Sequence, residues 1–390
     1  MADYYCCSRE QAVRALLPRA VRSGKIKHKT VALFGLSDIG AAEKYIADFK
    51  HRKSAAGQVE ILKLLLSNPE MTREQLIEEH HASLSSLHTL KKKGLITEEA
   101  QRVIRDAYEN VDIIPDQAIK PTAEQQAALE RLFVMLADNT SGHTALLHGV
   151  TGSGKTEVYL QIIAKALESG RESIVLVPEI ALTPQTVRRF RARFNNRVSV
   201  MHSRLSDGER FDEWSKIHEG VVKIVVGARS ALFAPFRNLG LIIVDEEHEN
   251  SYKQSEAPRY HARDVAVMRG HMEKAVVILG TATPSFESYR NALTGKYELI
   301  ELTKRVDNCF LPIMKIIDVR LDKPADGEPK SGLFTKMLVD AISDRLWRGE
   351  QTILFLNRRG YARQMQCEQC GYVAECPDCS VPYTYHLNTQ

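Results

Sequence analysis

Gly149-Val-Thr-Gly-Ser-Gly-Lys-Thr156 matches the pattern Gly-x-x-x-x-Gly-Lys-Ser/Thr. It stands between an apolar run ending at His148 and an amphipathic stretch, Glu157–Glu168, so it reads as a strand, a glycine-rich turn and a helix. Gly149, Gly152 and Gly154 let the backbone turn so that amide groups, Ser153 among them, converge on a phosphate at a helix N-terminus. Lys155 is then placed to neutralise the β- and γ-phosphates of ATP, and the Thr156 hydroxyl to ligate Mg²⁺. A plain glycine-rich turn is the bland alternative, and the flanking strand and helix count against it.

Working outward, short apolar runs recur between helical stretches: Ala145-Leu-Leu-His148, Ile174-Val-Leu-Val177, Val198–Met201, Lys223-Ile-Val-Val226, Leu241-Ile-Ile-Val244 and Val276-Val-Ile-Leu279. Runs of this kind, apolar at every position, belong to strands covered on both faces. The expectation is an α/β, doubly wound P-loop lobe of the RecA-like kind over residues 118–305. Leu241-Ile-Ile-Val-Asp-Glu-Glu-His248 ends one strand in two carboxylates. Asp245 reads as the Mg²⁺ contact, and Glu246 as the group that orients and deprotonates an attacking water. Two acids opening a helix would suit its dipole equally well in isolation. The phosphate loop upstream decides for the site, with Lys155, Asp245 and Glu246 as its catalytic residues.

Residues 1–117 read as mostly helical. A helix over Gln58–Leu66 is followed by Thr72-Arg-Glu-Gln75, which has the form of a capping box, and a third helix spans Ser83 to Lys92. With Leu95-Ile96 beginning a trailing hairpin, this is a winged-helix-like pattern suited to DNA, although other three-helix bundles share it. Residues 306–332 read as a linker, loosest from Asp318 to Lys330. Residues 333–390 read as the start of a second RecA-like lobe, with a helix over Phe334–Trp347 and a strand over Thr352–Leu356.

Of seven cysteines, Cys367, Cys370, Cys376 and Cys379 form two Cys-x-x-Cys pairs. In a reducing compartment such pairs indicate Zn²⁺ before disulfide. The five residues between the pairs are few against the about 15–20 of a single zinc ribbon. Both one shared site and an incomplete set stay open. A net charge of +4 is too small to identify nucleic acid by itself, but Lys25-Ile-Lys-His-Lys29 and Val187-Arg-Arg-Phe-Arg-Ala-Arg193 are local basic clusters. No apolar run approaches the roughly 20 residues of a membrane span, and the N-terminus lacks a secretory pattern. A cytoplasmic monomer without membrane contact is expected.

Asp245-Glu-Glu-His248 resembles the second motif of superfamily two helicases, and Gly280-Thr-Ala-Thr-Pro-Ser285 their third. More narrowly, the chain resembles the primosomal protein N′ family, the bacterial replication-restart DNA helicases. The stretches that carry this are Gly149–Glu157, Leu176-Val-Pro-Glu-Ile-Ala-Leu-Thr-Pro-Gln185, Val226-Gly-Ala-Arg-Ser-Ala-Leu-Phe-Ala-Pro235, Ser251-Tyr-Lys-Gln254 with Pro258-Arg-Tyr260, and Phe355-Leu-Asn-Arg-Arg-Gly-Tyr361 with the cysteines.

The resemblance implies an ATP-driven 3′-to-5′ motor on forked and single-stranded DNA that assembles a primosome at stalled forks. It implies primosome proteins, single-stranded DNA-binding protein and the replicative helicase loader as partners. It gives Thr281 and Thr283 a role in coupling ATP state to DNA grip. It also makes Arg229 and the loop after the acids (Tyr252, Lys253, Arg259 and Tyr260) the DNA contacts. Tyrosines there can stack on bases and the cations can reach phosphates. A surface loop with two buried tyrosines is the alternative.

In the family, eight cysteines make two zinc sites. This chain is expected to lack the family's N-terminal DNA-binding domain and the late arginines of the second lobe. It is therefore expected to bind nucleotide but hydrolyse it slowly. Another superfamily two translocase and a non-catalytic fork-binding protein are the competing readings.

Overall fold

The computed structural model describes residues 1–24, 26, 28–49, 51–52, 55–103, 105, 115–138, 140–306, 313–318, 334–355, 367, 370 and 372–377. It separates into two units, Met1–Cys309 and Phe310–Gln390.

The first unit opens with α1 (Arg9–Leu16) and α2 (Arg19–Ser23). A small module follows: β1 (Lys29–Leu36), α3 (Ile39–Phe49), α4 (Ala56–Ser67), β2 (Glu70–Thr72), a helical turn over Gln75–Glu79, α5 (Leu84–Lys92) and β3 (Ile96–Val103). Thr72 and Gln75 exchange both bonds of the capping box at 2.9 and 3.2 Å. The helices bury Ile61, Leu62, Leu65, Leu76, Leu87 and Leu90 against Phe34 of β1.

The strand expected to begin at Leu95-Ile96 has its described partner upstream, while residues 104 and 106–114, where a trailing hairpin would return, lie outside the described residues. β3 runs antiparallel to β1 for its whole length, from Leu36 opposite Ile96 to Lys29 opposite Val103. β2 lies on the other side of β1, giving the order β2-β1-β3. The reason is physical: β1 turns Phe34 into the helical core, with Ala32 and Leu36 packed beside it, so it supplies the partner that β3 needs. Two eight-residue strands also make the region less helical than its sequence suggested.

The rest of the unit is a seven-stranded parallel sheet. In chain order come α6 (Ala123–Ala137), β4 (Thr144–Gly149), α7 (Lys155–Glu168), β5 (Glu172–Leu176), α8 (Pro184–Phe194), β6 (Val198–Met201), α9 (Asp207–His218), β7 (Ile224–Gly227), β8 (Leu239–Asp245), α10 (Ala262–Glu273), β9 (Val276–Thr281), α11 (Phe286–Leu293) and β10 (Glu298–Leu302). The strand order is β10-β4-β9-β8-β5-β7-β6. One buried cluster, with Leu129, Leu147, Ile163, Phe190 and Ile278, fills one face of the sheet. Another, with Leu146, Ile174, Leu232, Ile242 and Tyr252, fills the other. This is the α/β arrangement of a RecA-like P-loop lobe. β9 lies between β4 and β8, so the C-terminal ends of three adjacent strands converge where such sheets bind ligands.

In the second unit, Thr335 caps α12 (Lys336–Trp347). Residues 352–355 form no strand, correcting that expectation, and Ile353 and Phe355 are exposed. An extended segment becomes a strand by pairing, and no sheet stands beside this one among the described residues. Leu356 and the expected linker core over 319–330 lie outside the described residues. Among the described residues no helix is long and apolar enough to cross a membrane.

Candidate functional site

The phosphate loop joins β4 to α7. Gly152 and Gly154 take φ of +83° and +80°, conformations that a side chain would strain. A Cβ on Gly154 would also fall 2.3 Å from Gln125 Nε2. Gln125 is a residue the sequence reading passed over. Its side-chain oxygen accepts from Thr122 N–H at 2.9 Å in the capping box of α6, while its Nε2 donates to Ser153 O at 2.8 Å. One buried amide thus fixes both the start of α6 and the crown of the loop. The sequence signal was the spacing Thr122-x-x-Gln125, legible as a cap but not as a loop support.

Lys155 Nζ donates to Gly149 O at 2.8 Å, folded back on its own loop. Ser153 Oγ is buried and has no hydrogen-bond partner among the described residues. A polar atom left so is rare in a folded protein and fits a loop that completes its bonding on a bound phosphate. The residues therefore fit ATP: Gly149–Thr156 would hold its phosphates, and Thr156 and Asp245 would supply oxygen ligands to its Mg²⁺.

Asp245 ends β8, the strand next to β9, and Glu246 follows with φ +46°, a left-handed conformation uncommon outside glycine. The turn is held by Glu247 N–H donating to Gly280 O at 3.1 Å. Burial pushes the Asp245 carboxyl up to about 6; the Tyr159 hydroxyl, donating at 2.9 Å, and Lys155 oppose the rise, while the Glu246 charge adds to it. Tyr159 is itself fully buried on α7, and Gly280 is required opposite it, since a Cβ there would meet its hydroxyl at 1.7 Å.

A carboxyl so raised holds a divalent cation only when ionised. Mg²⁺-dependent nucleotide binding is therefore expected to weaken about tenfold per pH unit below about 6, read by titration at pH 5 to 8. The sign for stability is the reverse. The folded state keeps the proton longer than the unfolded chain, so this group's contribution is lost as pH rises through about 6. Affinity independent of pH over this range would refute the assignment of Asp245 as a metal contact.

The third motif closes on the same point. His248 Nδ1 and Thr281 Oγ1 are 2.8 Å apart, Thr283 Oγ1 lies 3.4 Å from His248 Nε2, and Thr283 N–H donates to Thr281 Oγ1 at 3.0 Å. Glu247, between Glu246 and His248, is completely buried. It accepts from Arg263 Nη1 at 3.1 Å, from Ser285 N–H and Oγ at 2.7 and 3.0 Å, and from Ser288 Oγ at 2.9 Å.

The loop after the acids departs from its expected behaviour. Tyr252 and Tyr260 are only 1% and 2% exposed, so neither ring offers a face to a base in this arrangement. The stacking role is corrected on that ground. The cause is loop closure: Gln254 N–H donates to Tyr260 O at 2.9 Å and Lys253 bridges His261, which turns both rings inward. Tyr252 Oη then donates to Asp245 O at 2.6 Å. Arg229 Nη1 donates to the carbonyls of Ser251 and Lys253 at 3.2 and 2.7 Å, from outside the loop. Lys253 and Arg259 remain exposed.

Arg229, Tyr252, Lys253 and Tyr260 come together along one groove of about 590 Å³, which Arg14, Arg19, Arg22 and Arg210 also line; Arg259 does not. Among the described residues the wall holds one carboxylate, Glu179. Burial lowers the His202 imidazole on the same wall, helped by Arg204 and Arg210.

Of the expected metal ligands, Cys367, Cys370 and Cys376 are described and Cys379 is not. Among the described residues no three His, Cys, Asp or Glu side chains are grouped to hold a metal ion.

Loop, paired acids and third motif, on three adjacent strand ends of a parallel sheet, define a P-loop helicase lobe. Residues 122–292 match the DEAD/DEAH box helicase family. The chain is 47% identical over 337 residues to "Replication restart protein PriA" of Bacillus subtilis (strain 168), covering 86% of this chain and 41% of that protein. It is 40% identical over 392 residues to the protein of the same name in Chlamydia pneumoniae, covering 99% of this chain and 51% of that one. The chain is similar to these replication restart proteins over most of its own length, and it spans about half the length of the curated relatives it matches. Among solved structures, RecG bound to a three-way DNA junction aligns with 49% of this chain and 26% of its own, at 23% identity and a TM-score of 0.38.

Proposed function

We propose that this chain supplies the ATP-binding lobe of a 3′-to-5′ DNA helicase that acts in replication restart, as the name of its relatives indicates. Lys155, Thr156, Asp245 and Glu246 bind and activate the nucleotide. The observation that carries the DNA half is the basic groove. Among the described residues six cations (Arg14, Arg19, Arg22, Arg210, Arg229 and Lys253) line it against one carboxylate, as the phosphates of a nucleic-acid strand require. A strand in this groove lies against the loop whose Tyr252 hydroxyl holds the Asp245 carbonyl, and Thr281 and Thr283 join that point through His248. Coupling by a rigid loop replaces coupling by base stacking. Forked DNA, primosome proteins, single-stranded DNA-binding protein and the helicase loader belong to this proposal. So does zinc on the pairs Cys367/Cys370 and Cys376/Cys379, supported by their spacing.

The test is fluorescence anisotropy of forked and single-stranded DNA at several salt concentrations, with zinc measured in the same preparation. Affinity should fall steeply with salt. Lys253→Ala with Arg19→Ala, both exposed, should lower the salt slope by about 1 or more for single strands. An unchanged slope would remove the groove from the DNA path, and a preparation without zinc would remove the metal. ATPase assays beside the titrations distinguish a motor from a fork-binding protein without turnover.

A further inference from the structure

Downstream of β3 and its buried module, residues 115–120 lead into the capping residue of α6 and lie along the phosphate-loop helix. Asp116 N–H donates to Ala192 O of α8 at 3.0 Å. Its carboxylate takes Arg193 Nη2 at 2.8 Å and Nε at 3.2 Å, and Arg193 Nη2 also donates to Gln117 O at 3.0 Å. The same guanidinium reaches the other way to Glu157, with Nη1 to Oε1 at 3.2 Å and Nη2 to Oε2 at 3.1 Å. Gln161, one turn along α7, donates both to Glu157 Oε1 and to Ile119 O at 2.9 Å.

Glu157 directly follows Thr156. Two links therefore run from the connector to the first turn of the phosphate-loop helix, and a cavity of about 680 Å³ lined by Asp116, Ile119, Thr156, Glu157 and Asp245 separates it from the metal face.

The arrangement is not an ordinary surface ion pair. The Arg193 side chain is 8% exposed and that of Glu157 14%, while Asp116 is 39% exposed. Burial alone would lower the Arg193 guanidinium, yet its bonds to Glu157 and Asp116 raise it above its ordinary value. A planar fork that donates to two carboxylates and a carbonyl at once holds all three in one geometry, which a lysine could not do. Upstream, the chain is tied down as well: Arg105 donates through its N–H and Nη1 to the fully buried Asp212 of α9 at 3.2 and 3.1 Å.

We infer that Arg193 is a positioning residue for the nucleotide site: it clamps the connector at Asp116 to Glu157, so that seating of the connector and binding of nucleotide at Lys155 and Thr156 favour one another. This rests on the proposed nucleotide site. Because linkage is reciprocal, the coupling is readable from both ends. Asp116 is the partner to change, since it is the exposed member and its loss leaves the buried Arg193–Glu157 pair intact.

The experiment titrates the full chain with a fluorescent ADP analogue and Mg²⁺ in wild type, Asp116→Asn and Asp116→Glu. Melting midpoints without nucleotide are recorded alongside, as is hydrogen exchange of residues 115–120 in the wild type with and without ADP. The expected result is affinity weakened about fivefold or more in Asp116→Asn. Affinity should be largely restored in Asp116→Glu, with unchanged midpoints and exchange of 115–120 slowed by ADP. Wild-type affinity in Asp116→Asn, or exchange indifferent to ADP, overturns the inference. So does equal weakening in both variants with lowered midpoints, which would make the contact merely structural. Wild-type protein that binds no ADP strikes the nucleotide site itself and the inference with it.

Discussion

Replacing Glu247 by alanine is expected to destabilise the first unit by about 3–5 kcal/mol, the cost of breaking a buried ion pair from one side. Glu247 has no exposed side-chain surface, and all four of its bonds come from groups that exist in the fold to meet it. Its loss leaves the Arg263 guanidinium, itself 11% exposed, facing a void lined by Ser285 and Ser288. Arg263 keeps the Asp264 carboxylate at 3.0 Å, so the effect should fall toward the lower end of the range.

Glu247→Gln retains an acceptor for Ser285 N–H but gives up the charge, and an intermediate loss is expected. Urea unfolding followed by far-ultraviolet circular dichroism measures all three proteins. A loss under about 1 kcal/mol in the alanine variant would show that Arg263 finds solvent and that the network does not hold the motif. The consequence for function follows from position. Glu247 lies between Glu246 and His248, and Arg263 begins the helix to which the closed loop returns, so one carboxylate pins both stems of that loop.

That network marks where reading a sequence stops. The strands of the parallel sheet were legible because runs such as Leu241-Ile-Ile-Val244 have no polar position to expose, and the loop at Gly149–Thr156 because its spacing is local. The paired acids were legible for the same reason, being one strand end. β10 escaped, since Glu298 and Glu301 interrupt its apolar pattern at an edge of the sheet.

The supports of the site are all long-range. Gln125 meets Ser153, Tyr159 meets Asp245 and Arg263 meets Glu247 through bonds that no periodicity announces. The closed loop is the instructive case. Its composition of tyrosines and cations was read correctly as lying beside the acids, but whether Tyr252 points to solvent or to core depends on the bridge between Lys253 and His261. The partner of the strand that begins at Ile96 was hidden for a similar reason, because a strand's partner can come from before it as well as after.

Lys155→Ala is expected to weaken binding of Mg²⁺-bound ADP or ATP about a hundredfold, near 3 kcal/mol, with little change in stability. The asymmetry comes from what Lys155 does in each state. Without nucleotide its Nζ makes one bond, to the carbonyl of Gly149 at 2.8 Å, and a carbonyl at the end of a strand can turn to water when that partner is lost. With nucleotide present the ammonium is the one side-chain cation in the loop Gly149–Thr156. It faces two phosphates whose charge the backbone amides offset only in part. Its charge also draws the Asp245 carboxyl down against burial, so its removal should make the metal contact harder to ionise and deepen the loss at low pH.

Lys155→Arg should not recover affinity, since a planar fork does not place a compact point charge where Nζ sits, 2.8 Å from the Gly149 carbonyl. Titration with a fluorescent nucleotide, set beside melting curves of the free proteins, separates binding from folding. A fall of less than about fivefold, or recovery by arginine, would mean that the backbone cradle alone holds the phosphates.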